Sequence, residues 1–247
     1  MDYFKSFIVW LIGIVFLVVF FPVTFVIWLL VLPFDRERRV IHRILNIQSL
    51  IFSRLMPFWK IDIRGREKAE KNHTYVIISN HQSILDILII NCLGYRLKWI
   101  SKIENKKVPI LGWYLKMAGY ITVDRDDRDS KDKMLAESYD CLKRGISLML
   151  FPEGTRSPDG EIKFFKRGAF QLALSADVPI LPVLIDGTGD VLPKHGLIFG
   201  GFHRIRVRVL DPVFPEQFSS RVAEDLAADF EERLRKELDI LRNAHKQ

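Results

Sequence analysis

Cysteine is scarce in this chain, which has only Cys92 and Cys141 among its 247 residues. Both lie in apolar or helical contexts and provide neither a disulfide framework nor a metal cluster. The chain also lacks internal repeats, low-complexity tracts and a linker-like stretch in its middle. These absences argue against a disulfide-stabilised secreted scaffold and against a repeat protein. They favour one large domain with an N-terminal appendage in a reducing compartment.

Charge is absent from the N-terminal part of the chain, where no Asp, Glu, Lys or Arg occurs between residues 6 and 34. A straight helix of this length measures about 43 Å, whereas the hydrocarbon core of a bilayer is about 30 Å thick. The run is longer than the apolar region of a secretory signal and has no small-residue cleavage site. We therefore expect this segment to enter a membrane.

Pro22 divides the apolar run into two parts, 7–21 and 23–34. Each part measures roughly 18 to 22 Å if helical and is too short to cross a bilayer alone. A hairpin within one leaflet is therefore the favoured interpretation. A single tilted helix is the alternative, because membrane helices tolerate proline where neighbours satisfy the freed carbonyl.

A cluster of arginines follows the apolar run, in residues 35–43, and apolar residues then recur at helical intervals as far as Met56. This pattern predicts an interfacial helix with a basic face, and the positive-inside rule places the rest of the chain in the cytoplasm. A solvated charge run beside a core helix is the alternative. The formal charge of +7 and pI of about 9.4 imply anionic partners, and the apolar segment favours a membrane surface or phosphorylated substrates over nucleic acid.

From Trp59 onward, short β-branched runs alternate with helical patterns. This order predicts an α/β fold with a mixed sheet flanked by helices, preceded by an N-terminal membrane-embedded helical segment. We expect membrane-embedded and interfacial helices in residues 1–57 and an α/β domain in residues 58–247. The predicted strands are 59–64, 75–79, 97–100, 120–123, 147–151, 180–185 and 205–210, and the predicted helices are 84–93, 110–117, 131–143, 167–176 and 223–243.

His81 lies where an apolar strand should pass into a helix, and Asp86 follows five residues later. A carboxylate fixes the tautomer of a neighbouring histidine and stabilises its imidazolium form. In one continuous helix the two side chains would be about 140° apart, so they meet only if His81 precedes the first turn. Ser83 is then the candidate N-cap, with Asp86 at the third helical position. A capping box with a chance histidine in front of it is the alternative.

Charged residues follow two other predicted strands. Arg125 comes after strand 120–123, while Glu153 and Arg156 come after strand 147–151. Ligands collect at strand ends in α/β sheets, and arginine suits bidentate recognition of phosphate. For either arginine taken singly, a surface salt bridge is the alternative to phosphate binding. Lys102 is a weaker candidate for the same site.

Four blocks of this sequence resemble the signatures of the glycerolipid acyltransferases. Residues 80–86 resemble the first signature, a histidine, four residues and an aspartate, and residues 119–125 resemble the second. Residues 151–156, Phe-Pro-Glu-Gly-Thr-Arg, match the third almost letter for letter, and residues 178–183 resemble the fourth. The resemblance covers roughly residues 60–210, and the apolar N-terminus is similar to the membrane anchor of the bacterial 1-acylglycerol-3-phosphate acyltransferases.

The resemblance implies a chemistry and a set of site residues. His81 would be the base and Asp86 its partner, in the transfer of a fatty acyl group from a thioester to lysophosphatidic acid, giving phosphatidic acid. Glycerol 3-phosphate or another lysophospholipid is the alternative acceptor. The residues that the resemblance implies around the acceptor's glycerol phosphate are Arg125, Glu153, Gly154 and Arg156, and Lys102 and Thr155 are further candidates for substrate binding.

The expected partners are membrane phospholipids, lysophosphatidic acid, and acyl-coenzyme A or acyl carrier protein as donor. We expect no metal, no other cofactor and no nucleic acid, and a catalytic domain on the cytoplasmic side of the inner membrane. The sequence does not identify the oxyanion donors, for which backbone N–H groups near the helix start are the usual candidates.

Two rival classes compete with this interpretation. A membrane-bound lipid hydrolase would use the same His81–Asp86 pair to activate water, but the several arginines and the lack of a metal set or nucleophile elbow disfavour it. Ser83 has no glycine elbow around it and is disfavoured as a nucleophile. A non-catalytic lipid-binding module would have no use for His81 and Asp86 beside Glu153.

Overall fold

The computed structural model describes residues 2–56, 58–70 and 73–244. In these residues, α-helices and seven strands follow the order α1, α2, β1, β2, α3, β3, α4, β4, α5, β5, α6, β6, α7, β7, α8. The strands are β1 (Trp59–Arg64), β2 (Val76–Ser79), β3 (Leu97–Lys102), β4 (Ile121–Val123), β5 (Ser147–Leu150), β6 (Ile180–Asp186) and β7 (His203–Val209). The helices are α1 (Asp2–Val31), α2 (Arg39–Leu55), α3 (Leu85–Asn91), α4 (Leu111–Ala118), α5 (Arg128–Lys143), α6 (Gly168–Ala176), α7 (Thr188–Val191) and α8 (Ala223–Asn243).

The apolar N-terminal run forms the single continuous helix α1, with Pro22 inside it. The predicted hairpin is therefore wrong. Phe21 and Phe25 lie on either side of the proline and pack against Tyr114 and Trp113 of α4, so one surface supports both halves of α1. These contacts on both sides of Pro22 fix the two halves of α1 against the same neighbouring helix. By length and composition, α1 could cross a membrane.

A helix is present where the sequence predicts an interfacial one: α2, which packs against α1, α3 and α4. The carboxylate of Asp35 begins this helix, since its two oxygens accept the backbone N–H groups of Arg39 at 2.7 Å and Val40 at 2.9 Å. An acidic residue also complements the positive end of the helix dipole. A similar cap explains why α5 begins at Arg128 rather than at the predicted residue 131: Asp127 accepts two backbone N–H groups there.

All seven strands form one sheet in the order β1-β7-β6-β2-β5-β3-β4. Strands β2 to β6 run in one direction, whereas β7 is antiparallel to β6 and parallel to β1. The prediction of an α/β fold with a mixed sheet flanked by helices is confirmed. The carboxyl ends of the five parallel strands therefore share one edge of the sheet, where ligands collect in this class of fold.

Side chains of the central strands alternate between two hydrophobic cores. In β2, Val76 and Ile78 face the core that contains α6 and α8, whereas Ile77 faces the core that contains α3. This period of two follows from strand geometry, and the near-complete burial of β2 explains its continuous apolar sequence. The two cores hold the sheet rigidly, and with it the loops at its carboxyl edge.

Candidate active site

The connection from β2 to α3 brings His81 and Asp86 together. The Nδ1 atom of His81 lies 2.8 Å from Oδ2 of Asp86. Asp86 is completely buried, while the His81 side chain is 15% exposed. The pair forms because His81 precedes the first turn of α3, as the spacing of the two residues required.

The start of α3 differs from the sequence-based prediction. The helix begins at Leu85 with Ile84 as its N-cap residue, so Asp86 occupies the second helical position rather than the third. The carboxylate of Asp86 reaches back and accepts the backbone N–H groups of Gln82 at 2.7 Å and Ser83 at 2.9 Å. The Asp86 carboxylate thus binds N–H groups that precede the helix, as the acidic residue of a capping box does, whereas the Ser83 hydroxyl accepts the N–H of Leu85.

Ser83 is fully buried, and its hydroxyl is engaged within the protein. The hydroxyl donates to the carbonyl of Leu192 at 2.7 Å and accepts the N–H of Leu85 at 3.3 Å. This geometry agrees with the sequence argument against a serine nucleophile.

Thr188 supplies a further contact to Asp86 that sequence reasoning missed. Its hydroxyl donates to Oδ1 of Asp86, so the carboxylate receives four hydrogen bonds in all. Thr188 follows β6 and Gly187, whose φ of +90° turns the chain toward α3. The only feature of the sequence near Thr188 that could have indicated this contact was its position after an apolar strand and a glycine.

The imidazole ring of His81 stacks on Phe151, with ring centroids 3.7 Å apart and planes at 5°. Phe151 directly follows β5 and begins the third signature, residues 151–156, which therefore supplies one wall of the histidine site. With Nδ1 engaged by Asp86, Nε2 is the nitrogen left without a hydrogen-bond partner among the described residues. The arrangement presents one ring nitrogen, in a defined orientation, to the carboxyl edge of the sheet.

Glu153 is a buried residue that connects the third signature to the first, residues 80–86. One carboxylate oxygen accepts the backbone N–H of His81 at 2.7 Å, and the other accepts that of Lys163 at 3.1 Å. The residue is 4% exposed, and burial raises the pKa of its carboxyl to about 7. The structure therefore places Glu153 beside the histidine backbone, with both oxygens used by the protein.

The remaining predicted residues lie on neighbouring strand-end loops. The guanidinium of Arg125 donates to the carbonyl of Gly154, and this hydrogen bond joins the second signature to the third. Arg156 is half-buried and makes no hydrogen bond or ion pair within the described part of the chain. Thr155 accepts a hydrogen bond from Lys194 at 3.2 Å, and Lys102 pairs with Glu104 at 2.6 Å.

Sequence reasoning missed two lysines next to these loops. Lys194 contacts Thr155, and Nζ of Lys166 lies 3.0 Å from the position that a Cβ atom would occupy at Gly154. Gly154 has a φ of +70°, so a side chain there would be strained and would also displace Lys166. Together with the arginines, these lysines make the edge beside His81 strongly basic.

The backbone N–H groups expected to serve as oxyanion donors are already used. Those of Gln82 and Ser83 bind Asp86, and that of His81 binds Glu153. These three N–H groups are therefore not free to bind an oxyanion, because carboxylate oxygens already accept their hydrogen bonds. Among the described residues, no group of three or more His, Cys, Asp or Glu side chains could hold a metal ion.

The site contains a histidine that a buried carboxylate orients, and basic residues lie on the neighbouring strand-end loops. Such a site can remove a proton from a hydroxyl next to an anionic group. The sequence model of the family described as Acyltransferase matches residues 60–186, which include this site and just over half of the chain. The chain belongs to the acyltransferase family.

Several characterised proteins are similar to this chain. A chloroplastic 1-acyl-sn-glycerol-3-phosphate acyltransferase of Brassica napus is 38% identical over 187 residues, which are 74% of this chain and 54% of that protein. A 1-acyl-sn-glycerol-3-phosphate acyltransferase of Pseudomonas aeruginosa is 32% identical over 67% of this chain and 64% of that protein. The chain spans about half the length of the chloroplastic relatives it matches.

A solved structure extends the similarity to the whole chain. The crystal structure of the 1-acyl-sn-glycerophosphate (LPA) acyltransferase PlsC from Thermotoga maritima is similar over 98% of this chain and 96% of that chain, with a TM-score of 0.83 and 28% sequence identity. The likeness includes the N-terminal helices as well as the α/β part. The expected resemblance to bacterial 1-acylglycerol-3-phosphate acyltransferases is thereby confirmed.

Proposed function

We propose that this protein transfers a fatty acyl group from a thioester donor to the free hydroxyl of lysophosphatidic acid, which gives phosphatidic acid. The observation that carries the proposal is the 2.8 Å contact between His81 and Asp86, next to the basic residues Arg125 and Arg156. The names of the similar proteins point to the same acceptor.

In the proposed reaction, Nε2 of His81 takes the proton of the acceptor hydroxyl as the oxygen attacks the thioester carbonyl. A carbon–oxygen bond forms, and the resulting tetrahedral oxyanion collapses with cleavage of the carbon–sulfur bond. The imidazolium then gives its proton to the departing thiolate. Base catalysis of this kind contributes about 10²- to 10⁴-fold. Asp86 holds the ring and stabilises the imidazolium between the two steps.

The phosphate of the acceptor would lie between Arg125 and Arg156. Arg156 has no protein partner in the described residues, so its guanidinium is available for a phosphate. Arg125 uses one N–H on Gly154 and keeps others for a ligand. Lys166 and Lys194 add positive charge on the same side, which matches a dianionic monoester better than a neutral lipid.

Glu153, Gly154, Thr155 and Lys102 then take different parts in the site. We assign Glu153 the role of positioning His81, since both of its oxygens bind backbone N–H groups. Gly154 leaves room for Lys166, while Thr155 and Lys102 have their own partners, Lys194 and Glu104, at the rim of the site. Binding of the acceptor by these last two residues stays a prediction.

Helix α1 is proposed to lie in one leaflet, on the cytoplasmic side of the inner membrane. Near its start, Ser6 accepts the N–H of Phe199 at 2.8 Å, and Trp10 donates to Leu197 at 2.9 Å. Near its end, Trp28 packs with residues of α4. Both ends of α1 thus contact the rest of the protein, which a helix crossing the bilayer could not do. Residues 1–57 would be the membrane part and residues 58–247 the catalytic domain.

An assay of the purified full-length protein tests the proposed reaction. Lysophosphatidic acid, glycerol 3-phosphate and lysophosphatidylcholine are offered separately with acyl-coenzyme A or acyl carrier protein, and lipid products are separated from free fatty acid. Phosphatidic acid as the main product is the expected result. Free fatty acid as the main product, with every acceptor, would identify a hydrolase instead. Faster acylation of glycerol 3-phosphate would assign a different acceptor.

A further inference from the structure

Six buried side-chain nitrogens lack a hydrogen-bond partner among the described residues, and four of them lie where α1 passes into α2. These four are Trp28 Nε1, Arg38 Nη1, His42 Nε2 and Arg96 Nε. Trp28 is 7% exposed and His42 is 4% exposed. Buried polar groups are normally paired, so several unpaired nitrogens at one place indicate a site for a ligand rich in acceptors.

Contacts between these residues show that they form a single cluster. The guanidinium of Arg38 lies 6.0 Å from the ring centroid of Trp28. Arg38 Cγ and Lys98 Nζ lie 3.4 Å and 3.6 Å from the position of a Cβ atom at Gly119, so both side chains flank this glycine. Gly119 ends α4 and is followed by Tyr120, whose ring lies 5.4 Å from that of His42.

Positive charge predominates in this cluster, which consists of Trp28, Arg38, His42, Arg96 and Lys98. Lys98 has no ion-pair partner in the described part of the chain. Two carboxylates are nearby, but Asp35 binds the first N–H groups of α2, and Glu37 is shared between Arg39 and Arg96. Burial lowers the pKa of His42 to about 4, and the charges of Lys98 and Arg96 act in the same direction.

The cluster is separate from the proposed catalytic site. Arg96 and Lys98 lie at the start of β3, and Tyr120 lies just before β4. His81, Arg125 and Glu153 follow the carboxyl ends of β2, β4 and β5, which is the opposite edge of the same sheet. A ligand at the cluster would therefore not compete with the acceptor.

The position of the cluster relative to α1 indicates the kind of ligand. Helix α1 ends at Val31, and Phe34 in the following connection is 88% exposed. Arg38, the first charged residue of the cluster, follows four residues later, where an apolar segment meets arginines, as at the depth of lipid headgroups. From this placement we propose that Arg38, Arg96 and Lys98, with the indole N–H of Trp28, bind the phosphate of an anionic phospholipid headgroup. The inference depends on the membrane placement of α1 and is independent of acyl transfer.

Calorimetric titration of the full-length protein in neutral detergent tests this site. The probes are dioctanoyl phosphatidylglycerol, dioctanoyl phosphatidylcholine and inorganic phosphate. We expect saturable binding of about one phosphatidylglycerol per chain and at least tenfold weaker binding of the other two probes. The combined change Arg38→Gln and Lys98→Gln should weaken phosphatidylglycerol binding at least about tenfold, since it removes two charged donors.

Two control variants separate this site from general electrostatic attraction and from the catalytic site. Arg43→Gln removes the same charge from an exposed position of α2 and should change the affinity less than about twofold. The double variant Arg125→Ala, Arg156→Ala should also keep its affinity for phosphatidylglycerol. Should the Arg38 and Lys98 double variant fail to fold, Lys98→Gln alone is decisive, because its side chain has no ion pair to lose.

Three results would overturn the inference. An equal loss in Arg43→Gln would mean that only net charge matters, and binding of inorganic phosphate as tight as that of the lipid would mean a site for a free anion. Loss of binding in the Arg125 and Arg156 variant would place the lipid in the catalytic site. Binding is measured without an acyl donor, so failure of the proposed reaction would leave this test unaffected.

Discussion

The carboxylate of Glu153 lies 2.7 Å from the backbone nitrogen of His81 and holds the backbone of the candidate base. A second carboxylate, that of Asp86, holds the imidazole ring itself. The histidine is thus positioned twice, once through its backbone and once through its side chain. Substitution of either carboxylate should therefore affect turnover differently from substitution of the residues that bind the acceptor.

Replacement of Glu153 by glutamine should lower kcat more than it raises KM for lysophosphatidic acid. One amide NH₂ group would then face a backbone N–H, of either His81 or Lys163, and the lost acceptor should cost about 1–3 kcal/mol of stability. Glu216→Gln, at an exposed position, is the matched control. A change in KM alone would mean that Glu153 binds the acceptor directly.

The same residue gives a pH dependence of stability with a defined sign. The pKa of Glu153 is raised from about 4.5 to about 7 in the folded state, so its contribution is complete below pH 4.5 and is lost as pH rises toward 7. Urea unfolding of wild type and Glu153→Gln between pH 4.5 and 8 measures this. The difference between the two free energies of unfolding should shrink with rising pH, and a constant difference would contradict the shift.

His81→Ala should keep the fold and lower kcat by about 10²- to 10⁴-fold, because the base is removed and a partly exposed side chain is shortened. Asp86→Asn should lower kcat by less, but it should also lower stability. The reason is that a neutral amide oxygen replaces the charged oxygen that accepts three hydrogen bonds, and the Thr188 hydroxyl must turn to accept from the new NH₂ group. Turnover and melting curves of both variants check this, and full activity of His81→Ala would remove His81 from the mechanism.

Thr188→Val should lower kcat roughly tenfold with little change in KM, since it deletes one hydrogen bond to a charged acceptor at nearly constant volume. Thr188→Ser restores the hydroxyl and should recover most of the rate. This rescue distinguishes a positioning role from simple packing. Equal rates for the valine and serine variants would show that the hydroxyl has no part in orienting Asp86.

Arg156→Ala should raise KM for lysophosphatidic acid at least tenfold and leave a neutral monoacylglycerol, if it reacts, nearly unaffected. Arg125→Ala should raise KM as well and should also lower kcat, because it removes the bond to Gly154. Arg128→Ala, exposed and three positions further along, is the charge-matched control. Equal losses on the charged and the neutral acceptor would mean that these arginines only support the loops.

Both ends of α1 should be accessible from the cytoplasmic side alone. Cysteines introduced by Tyr3→Cys and Arg36→Cys lie at exposed positions, whereas the native Cys92 and Cys141 are buried and react slowly. A membrane-impermeant thiol reagent should label both new cysteines in inverted vesicles and neither in right-side-out vesicles. Labelling of the two positions from opposite sides would show that α1 spans the bilayer.

Sequence patterns alone determined the elements whose signals are local. The strands follow from β-branched runs with a period of two, and β1 and α8 occur at the predicted residues. The pairing of His81 with Asp86 was also predictable, because both residues flank a single strand-to-helix turn. The mixed sheet followed from the alternation of elements, since helices must cover both faces of a largely parallel sheet.

Only the tertiary structure decided the features that depend on contacts between distant residues. Judged from the sequence alone, Pro22 predicted a break in the N-terminal helix, but α1 is continuous and packs against α4 on both sides of the proline. Asp86 accepts a hydrogen bond from the hydroxyl of Thr188, which is 102 positions away in the sequence. The backbone N–H of His81 donates to the carboxylate of Glu153, which is 72 positions away. Local propensity describes how a segment folds by itself, whereas such contacts exist only after the sheet has aligned the ends of its strands.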